Sequence, residues 1–233
     1  MLYFRKEREV FMELKILKLS FGSLEIARRD IPKIRGFISS NYPQYDELHN
    51  HKGDKFIYRY PLIQYKTIDG NPVIIGIEEG ADILSSIENN IDFLNIFNKR
   101  IDIYEKGIFY KKFKFGVSDK LLQYKFISPW LSLNERNFIK YISCLQEEKI
   151  DILKKILIGN ILSMSKRFNY TVENKLEAYI NLKPCKINFK NQEMIGFKGE
   201  FLINFQIPDY MAIGKSVSRG FGTVKLVKNF DFK

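Results

Sequence analysis

Met12-Glu13-Leu14-Lys15-Ile16-Leu17-Lys18-Leu19 sets apolar against charged side chains, with Leu14, Ile16 and Leu19 on the apolar positions. That period reads as a first β-strand. Downstream, Ser23 is placed to cap a helix running to about Asn41, with Ile31, Ile34 and Ile38 on its buried face. Pro32 and Gly36 point to a kink or a late start. Arg28, Arg29, Lys33 and Arg35 make the helix basic, and a polar loop follows over residues 42–55. Phe56 to Lys66 reads as a strand interrupted at Pro61. The turn Asp69-Gly70-Asn71-Pro72 leads into a strand over Val73 to Ile77, then a short helix over Glu79 to Glu88. A closing strand is expected at Phe93 to Phe97, giving the β-α-β-β-α-β order of a ferredoxin-like unit.

The pattern then restarts. Ile101 to Phe115 and Leu121 to Ser128 are strand-like. Ser132 and Glu135 have capping-box spacing before a helix with Phe138, Ile142 and Leu145 on one face. A second helical run aligns Ile150, Leu153, Leu157, Ile161 and Met164, and both stripes are expected in the core. Strands return at Val172 to Leu182, Lys186 to Phe189, Met194 to Ile207 and Phe221 to Val227. The expected class is α+β: two tandem ferredoxin-like (RRM-like) domains with antiparallel sheets. Residues 1–11 read as an N-terminal extension, with Met12 an alternative start. Residues 12–98 form the first domain and 99–233 the second.

The 233 residues are 45% apolar, enough for a sizeable core, and carry a net charge of +11 with no basic tail. That balance favours nucleic acid or an anionic surface as partner. Thirteen tyrosines and twenty phenylalanines accompany the charge, a combination that suits single-stranded RNA, although many must be core. The two cysteines, Cys144 and Cys185, form no CxxC, which suggests a reducing compartment without a disulfide framework. No spacing supports a zinc site built from both cysteines and both histidines. The N-terminus lacks the apolar core of a signal peptide and no apolar run approaches a membrane span, so a cytoplasmic protein with no membrane partner is expected.

Gly214-Lys215-Ser216-Val217-Ser218-Arg219-Gly220-Phe221-Gly222 gathers glycines, cations and hydroxyls in one loop. Glycines allow backbone N–H groups to approach a phosphate, and Lys215, Arg219, Ser216 and Ser218 supply donors, so the loop suits a phosphodiester backbone. A mononucleotide P-loop does not fit, because Asp209 stands where that motif needs a glycine and a strand follows instead of a helix. A glycine-rich turn with solvated charges is the plainer alternative. Lys112 and Lys114 share one face of their strand while Phe113 and Phe115 take the other, which makes either a basic RNA-binding face or a solvated sheet surface.

The only two histidines sit together in Leu48-His49-Asn50-His51, with Lys52, Lys55 and Tyr58 nearby. Imidazoles donate and accept protons near neutral pH, so this loop can supply a base, an acid and a charge stabiliser. Cleavage of RNA by its own 2′-hydroxyl needs those three roles and no metal. Solvated or structural histidines are the plainer reading. A metal held with Asp46, Glu47 and Asp54 is a third.

The loop from Ser218 to Val224 resembles the C-terminal glycine-rich signature of the CRISPR-associated repeat-processing endoribonucleases, of the repeat-associated mysterious protein superfamily. The stretches from Leu48 to His51, Tyr60 to Lys66 and Ile74 to Gly80 are similar to the N-terminal half of one archaeal and bacterial subgroup. The resemblance implies two tandem ferredoxin-like folds and metal-independent cleavage of precursor CRISPR RNA within each repeat, without a cofactor. It implies 2′,3′-cyclic phosphate and 5′-hydroxyl ends. His49 and His51 fall at the family's usual catalytic position, after the first helix. Lys52 or Lys55 would steady phosphorane charge and Tyr58 would orient groups or donate a proton. The glycine-rich loop, from Gly214 through Gly220 and Gly222, would hold RNA backbone. The expected partners are repeat RNA, single-stranded or hairpin, and a CRISPR effector complex, with the chain a monomer or homodimer. A non-catalytic RNA-binding subunit of such a complex is the alternative.

Overall fold

The computed structural model describes residues 11–22, 24–49, 51–52, 55–56, 59–189 and 192–227; side chains at 49, 51, 52, 55 and 56 are outside the description. The expected first strand is β1 (Phe11–Phe21). Its partners are β5 (Asn71–Ile77), in register Ile16↔Ile77, and β8 (Lys106–Trp130), in register Leu14↔Phe113. β4 (Ile63–Ile68) forms the outer strand beside β5 through the turn at Asp69-Gly70. Helix α1 (Ile31–Asn41) and α3 (Glu79–Ile87) cover one face of this sheet. Leu17, Leu19, Ile34, Ile38, Ile74 and Leu84 fill the layer between. The order β8-β1-β5-β4, with two crossover helices, is a ferredoxin-like unit.

The closing strand is not Phe93 to Phe97. β6 (Phe93–Ile96) pairs only with β7 (Lys99–Asp102) in a two-stranded ribbon, and the first half of β8 closes the sheet. α1 starts late, as Pro32 suggested: a short 3-10 turn over Arg28–Asp30 precedes Ile31, and the expected cap Ser23 lies outside the described residues. Proline fits a first helical turn because its missing N–H has no partner there.

Strand β8 continues past Gly116 without a break and becomes the first strand of a second unit. Its far half pairs with β10 (Gln192–Gln206) and with β11 (Val224–Leu226), and β9 (Ala178–Phe189) flanks β10. One antiparallel sheet of seven strands therefore spans both units. α4 (Glu135–Ser143) and α5 (Gln146–Arg167) fill the crossover. In place of a second crossover helix the chain between β10 and β11 holds the glycine-rich loop, with a 3-10 turn at Val217–Arg219.

The second stripe behaves as expected at Leu153, Leu157, Ile161 and Met164, which are buried against Trp130, Phe197 and Phe201. Ile150, at its start, is exposed. The first stripe is corrected: Phe138, Ile142 and Leu145 are exposed, and no residue of α4 is buried. α4 reaches the core through Tyr141, whose ring meets Phe197 edge-on at 5.4 Å. Its cap is also different. Asn134 accepts from Asn137 N at 2.7 Å, while Ser132 is buried behind it.

Candidate functional site

The histidine segment begins in α2 (Asp46–His49), a single turn whose last residue is His49. β2 (His51–Lys52) and β3 (Lys55–Phe56) then form a small hairpin, with His51 opposite Phe56 and Lys52 opposite Lys55. Both histidines and both lysines thus fall within one turn and hairpin. Tyr58 lies outside the described residues. Leu48 anchors the turn, because its side chain is buried with Ile34 and Ile38 of α1. Of the carboxylates in the alternative metal reading, Glu47 accepts from Arg59 Nη2 at 3.3 Å, and Asp54 lies outside the described residues.

The glycine-rich loop is held on both sides by protein. Gly214, at φ +97, lies where a Cβ would stand 2.5 Å from Trp130 Nε1, and at Gly222 (φ +67) a Cβ would run into the Ile213 carbonyl. These two positions need glycine for close packing of chain on chain, whatever the loop binds. Gly222 N donates to Pro129 O at 2.8 Å, and Thr223 N donates to Ser128 Oγ at 2.9 Å. Lys215 is tethered too: its Nζ donates to Leu133 O at 3.0 Å, and burial lowers its pKa. Ser216 adopts a left-handed conformation at φ 56. Ser216, Ser218 and Arg219 remain half-buried at the surface, and Gly220 packs beside Tyr65 O.

The stretch Tyr60 to Lys66, which follows the histidine segment in the chain, is bonded to the segment that leads into the glycine-rich loop. Tyr60 OH donates to Ala212 O at 2.8 Å, and Gln64 Nε2 donates to Tyr60 OH at 2.8 Å. Lys66 Nζ donates to Gln64 Oε1 at 2.9 Å and to Tyr210 O. Lys66 is fully buried, and burial brings its pKa down to about 7. Burial likewise pushes the Tyr60 phenol up. This chain of donors locks β4 to residues 210–212, which lead into the glycine-rich loop. The stretch Ile74 to Gly80 is a packing device of the same kind: a Cβ at Gly76 would meet the Gly80 carbonyl, and one at Gly80 the Leu62 carbonyl.

Arg35 of α1 completes the connection. Its Nε donates to Leu48 O at 3.4 Å, one residue before His49. Burial, and then the nearby charge of Arg219, hold its guanidinium below the usual value. One arginine therefore touches the histidine turn and lies close to the glycine-rich loop. Sequence reasoning noted Arg35 only as part of a basic helix and did not single out Tyr60 or Lys66 individually. Helical position on the face that bears the histidine turn was the one available signal for Arg35.

Lys112 and Lys114 are exposed on β8, with Phe115 buried and Phe113 half-buried beneath them. Lys112 Nζ lies 3.9 Å from Glu13 Oε2, and Lys114 Nζ lies 4.8 Å from the Phe11 ring.

Two ferredoxin-like units share the long strand β8, and Arg35 links the histidine turn to the neighbourhood of Arg219 in the glycine-rich loop, an architecture that defines a two-unit α+β protein with one continuous sheet. Residues 12–114 match the family model of the Cas6b N-terminal domain and residues 116–227 that of the Cas6b C-terminal domain, so the chain belongs to the Cas6b family. The two models meet inside β8. A crystal structure of Cas6b superposes with a TM-score of 0.89 at 44% identity, covering 93% of this chain and all (100%) of that one. A second, described as the CRISPR RNA processing endoribonuclease Cas6b, gives 0.77 at 40% identity, covering 93% and 100%. An uncharacterized protein of Methanocaldococcus jannaschii is 47% identical over 137 residues, 56% of this chain and 93% of the relative. Among the described residues, no helix is long and apolar enough to cross a membrane.

Proposed function

We propose that this protein is an endoribonuclease that cuts precursor CRISPR RNA within its repeats, without a metal ion. Membership of the Cas6b family supports the substrate class and reaction. The observation that supports the site is Arg35, whose Nε donates to Leu48 O beside the histidines and whose guanidinium feels the charge of Arg219 in the glycine-rich loop.

The RNA 2′-oxygen attacks the adjacent phosphorus, and the bond to the 5′-oxygen breaks. One of His49 and His51 takes the 2′-hydroxyl proton, and the other gives a proton to the leaving 5′-oxygen. The products carry a 2′,3′-cyclic phosphate and a 5′-hydroxyl. Because the nucleophile belongs to the substrate, no activated water is needed. Lys52 and Lys55 stabilise the charge of the phosphorane, and Tyr58 orients or donates a proton. Lys215, Ser216, Ser218 and Arg219 hold backbone phosphates, with Gly214, Gly220 and Gly222 setting the loop's shape, and Lys112 and Lys114 extend the basic surface. The protein acts in the cytoplasm on single-stranded or hairpin repeats, as monomer or homodimer, and delivers its product to an effector complex.

The test is single-turnover cleavage of labelled repeat RNA in EDTA, with product ends analysed. Cleavage to cyclic-phosphate ends is expected. A repeat with a 2′-deoxy nucleotide just 5′ of the scissile phosphate should bind and stay intact. Cutting of that substrate, or dependence on added metal, overturns the mechanism. Tight binding with no cleavage of any repeat points instead to a non-catalytic subunit.

A further inference from the structure

Four side chains at the seam form a cation–aromatic cluster, and of these only Arg219 has a role above. Arg28, in the 3-10 turn before α1, sets its Cζ 4.9 Å from the centre of the Phe221 ring. Phe221 meets Phe189, at the end of β9, edge-on at 5.4 Å and 88°. Phe189 in turn lies 5.7 Å from Arg219 Cζ of the glycine-rich loop. Three separate elements, from both ferredoxin-like units, therefore converge on two guanidinium groups.

Neither Arg28 nor Arg219 has a carboxylate within ion-pair distance among the described residues. Their neighbour Arg29 does, at Asp30 Oδ2. Both are half-buried, and burial lowers the pKa of Arg28. Holding a partly dehydrated cation with no carboxylate against it among the described residues is costly for a fold. A guanidinium stacked on a phenyl face keeps its planar fork of N–H donors directed outward and loses little freedom on binding. Such a fork matches two oxygens of a phosphate.

We propose that Arg28 and Arg219, splayed on the Phe221–Phe189 pair, each bind a phosphate of the RNA, so that the strand crosses the seam between the two units at this stack. The proposal rests on the RNA-processing reading above. It adds Arg28 as a binding residue and Phe189 as the positioning residue of Arg219. Phe221 is buried and serves as the shared support.

The test uses the full chain and the 2′-deoxy repeat RNA, with affinity measured over a range of salt concentrations. Arg28→Gln should lower affinity about tenfold or more and flatten the slope of log K against log salt by about 0.7, the value for one lost contact to a single strand. Arg28→Lys should keep the slope, because the charge remains, and still lose affinity, because the fork and the stack are gone. Phe189→Leu should weaken binding while Arg28→Gln added to it still lowers the slope. Methylphosphonate substitution at single phosphates of the RNA should reveal one position whose neutralisation weakens the wild type and not Arg28→Gln. A folded Arg28→Gln protein with the wild-type slope and the wild-type response at every phosphate overturns the inference. Cleavage of the unmodified repeat by the same wild-type preparation separates the two readings. Active wild type with an unchanged Arg28→Gln slope sinks the stack alone, whereas inactive wild type with a flattened slope sinks only the catalytic reading.

Discussion

Lys66→Met removes a buried amine whose hydrogen bonds lock β4 to the chain leading into the glycine-rich loop. Its effect on stability should depend on pH in a way that can be worked out. In the folded protein burial holds the Lys66 pKa at about 7, against 10.5 for the free side chain. The unfolded chain therefore binds the extra proton between those two values. Wild-type stability must rise with pH across that window and level off above it. Between pH 7 and pH 9 the gain is about 2 kcal/mol, from about 1.4 kcal/mol per pH unit less the part lost because the folded amine is still partly protonated near pH 7. Methionine of similar length carries no such dependence. It also strands the Gln64 and Tyr210 oxygens that Lys66 Nζ satisfies, at about 1–3 kcal/mol for each buried group. Urea unfolding of both proteins at pH 7, 8 and 9 isolates the contribution, because every other titrating group is common to the pair. The difference in stability should grow by about 2 kcal/mol in favour of the wild type by pH 9, with the urea m-value unchanged. Parallel profiles for the two proteins would refute the buried-lysine reasoning.

Replacing His49 or His51 by alanine should slow single-turnover cleavage by about 10²–10⁴-fold with little change in RNA affinity, and wild-type rates in both variants would end the acid–base assignment. His51→Ala should be the more damaging of the two. Charge reversal at Lys112 and Lys114 should weaken RNA binding and flatten its salt dependence, whereas unchanged affinity at low salt marks a solvated sheet surface. Gly222→Ala forces a Cβ towards the Ile213 carbonyl at a positive φ, so thermal unfolding should show a loss of about 1–3 kcal/mol or more. A neutral Gly222→Ala variant would mean that the loop relaxes freely.

Local chemistry was enough for much of this molecule. The alternation from Met12 to Leu19, the Asp69-Gly70 turn and the stripe from Leu153 to Met164 each depend on neighbours within a few residues, and each became the element expected. The pairing of two histidines in one short loop, and the cations among glycines near the C-terminus, were equally legible, because composition alone marks them. Alternation cannot show where a strand changes partners, so β8 read as separate pieces and Phe93 to Phe97 read as the closing strand. Periodicity likewise finds an apolar face without saying what covers it, and α4 leaves Phe138 and Ile142 exposed because Tyr141 makes its contact with the core. Only the tertiary structure buries Lys66 beneath the loop. It alone brings Arg28, Phe189, Arg219 and Phe221 to one seam. Those contacts join residues far apart along the chain, and their partners are chosen by the packing of whole sheets and not by any nearby residue.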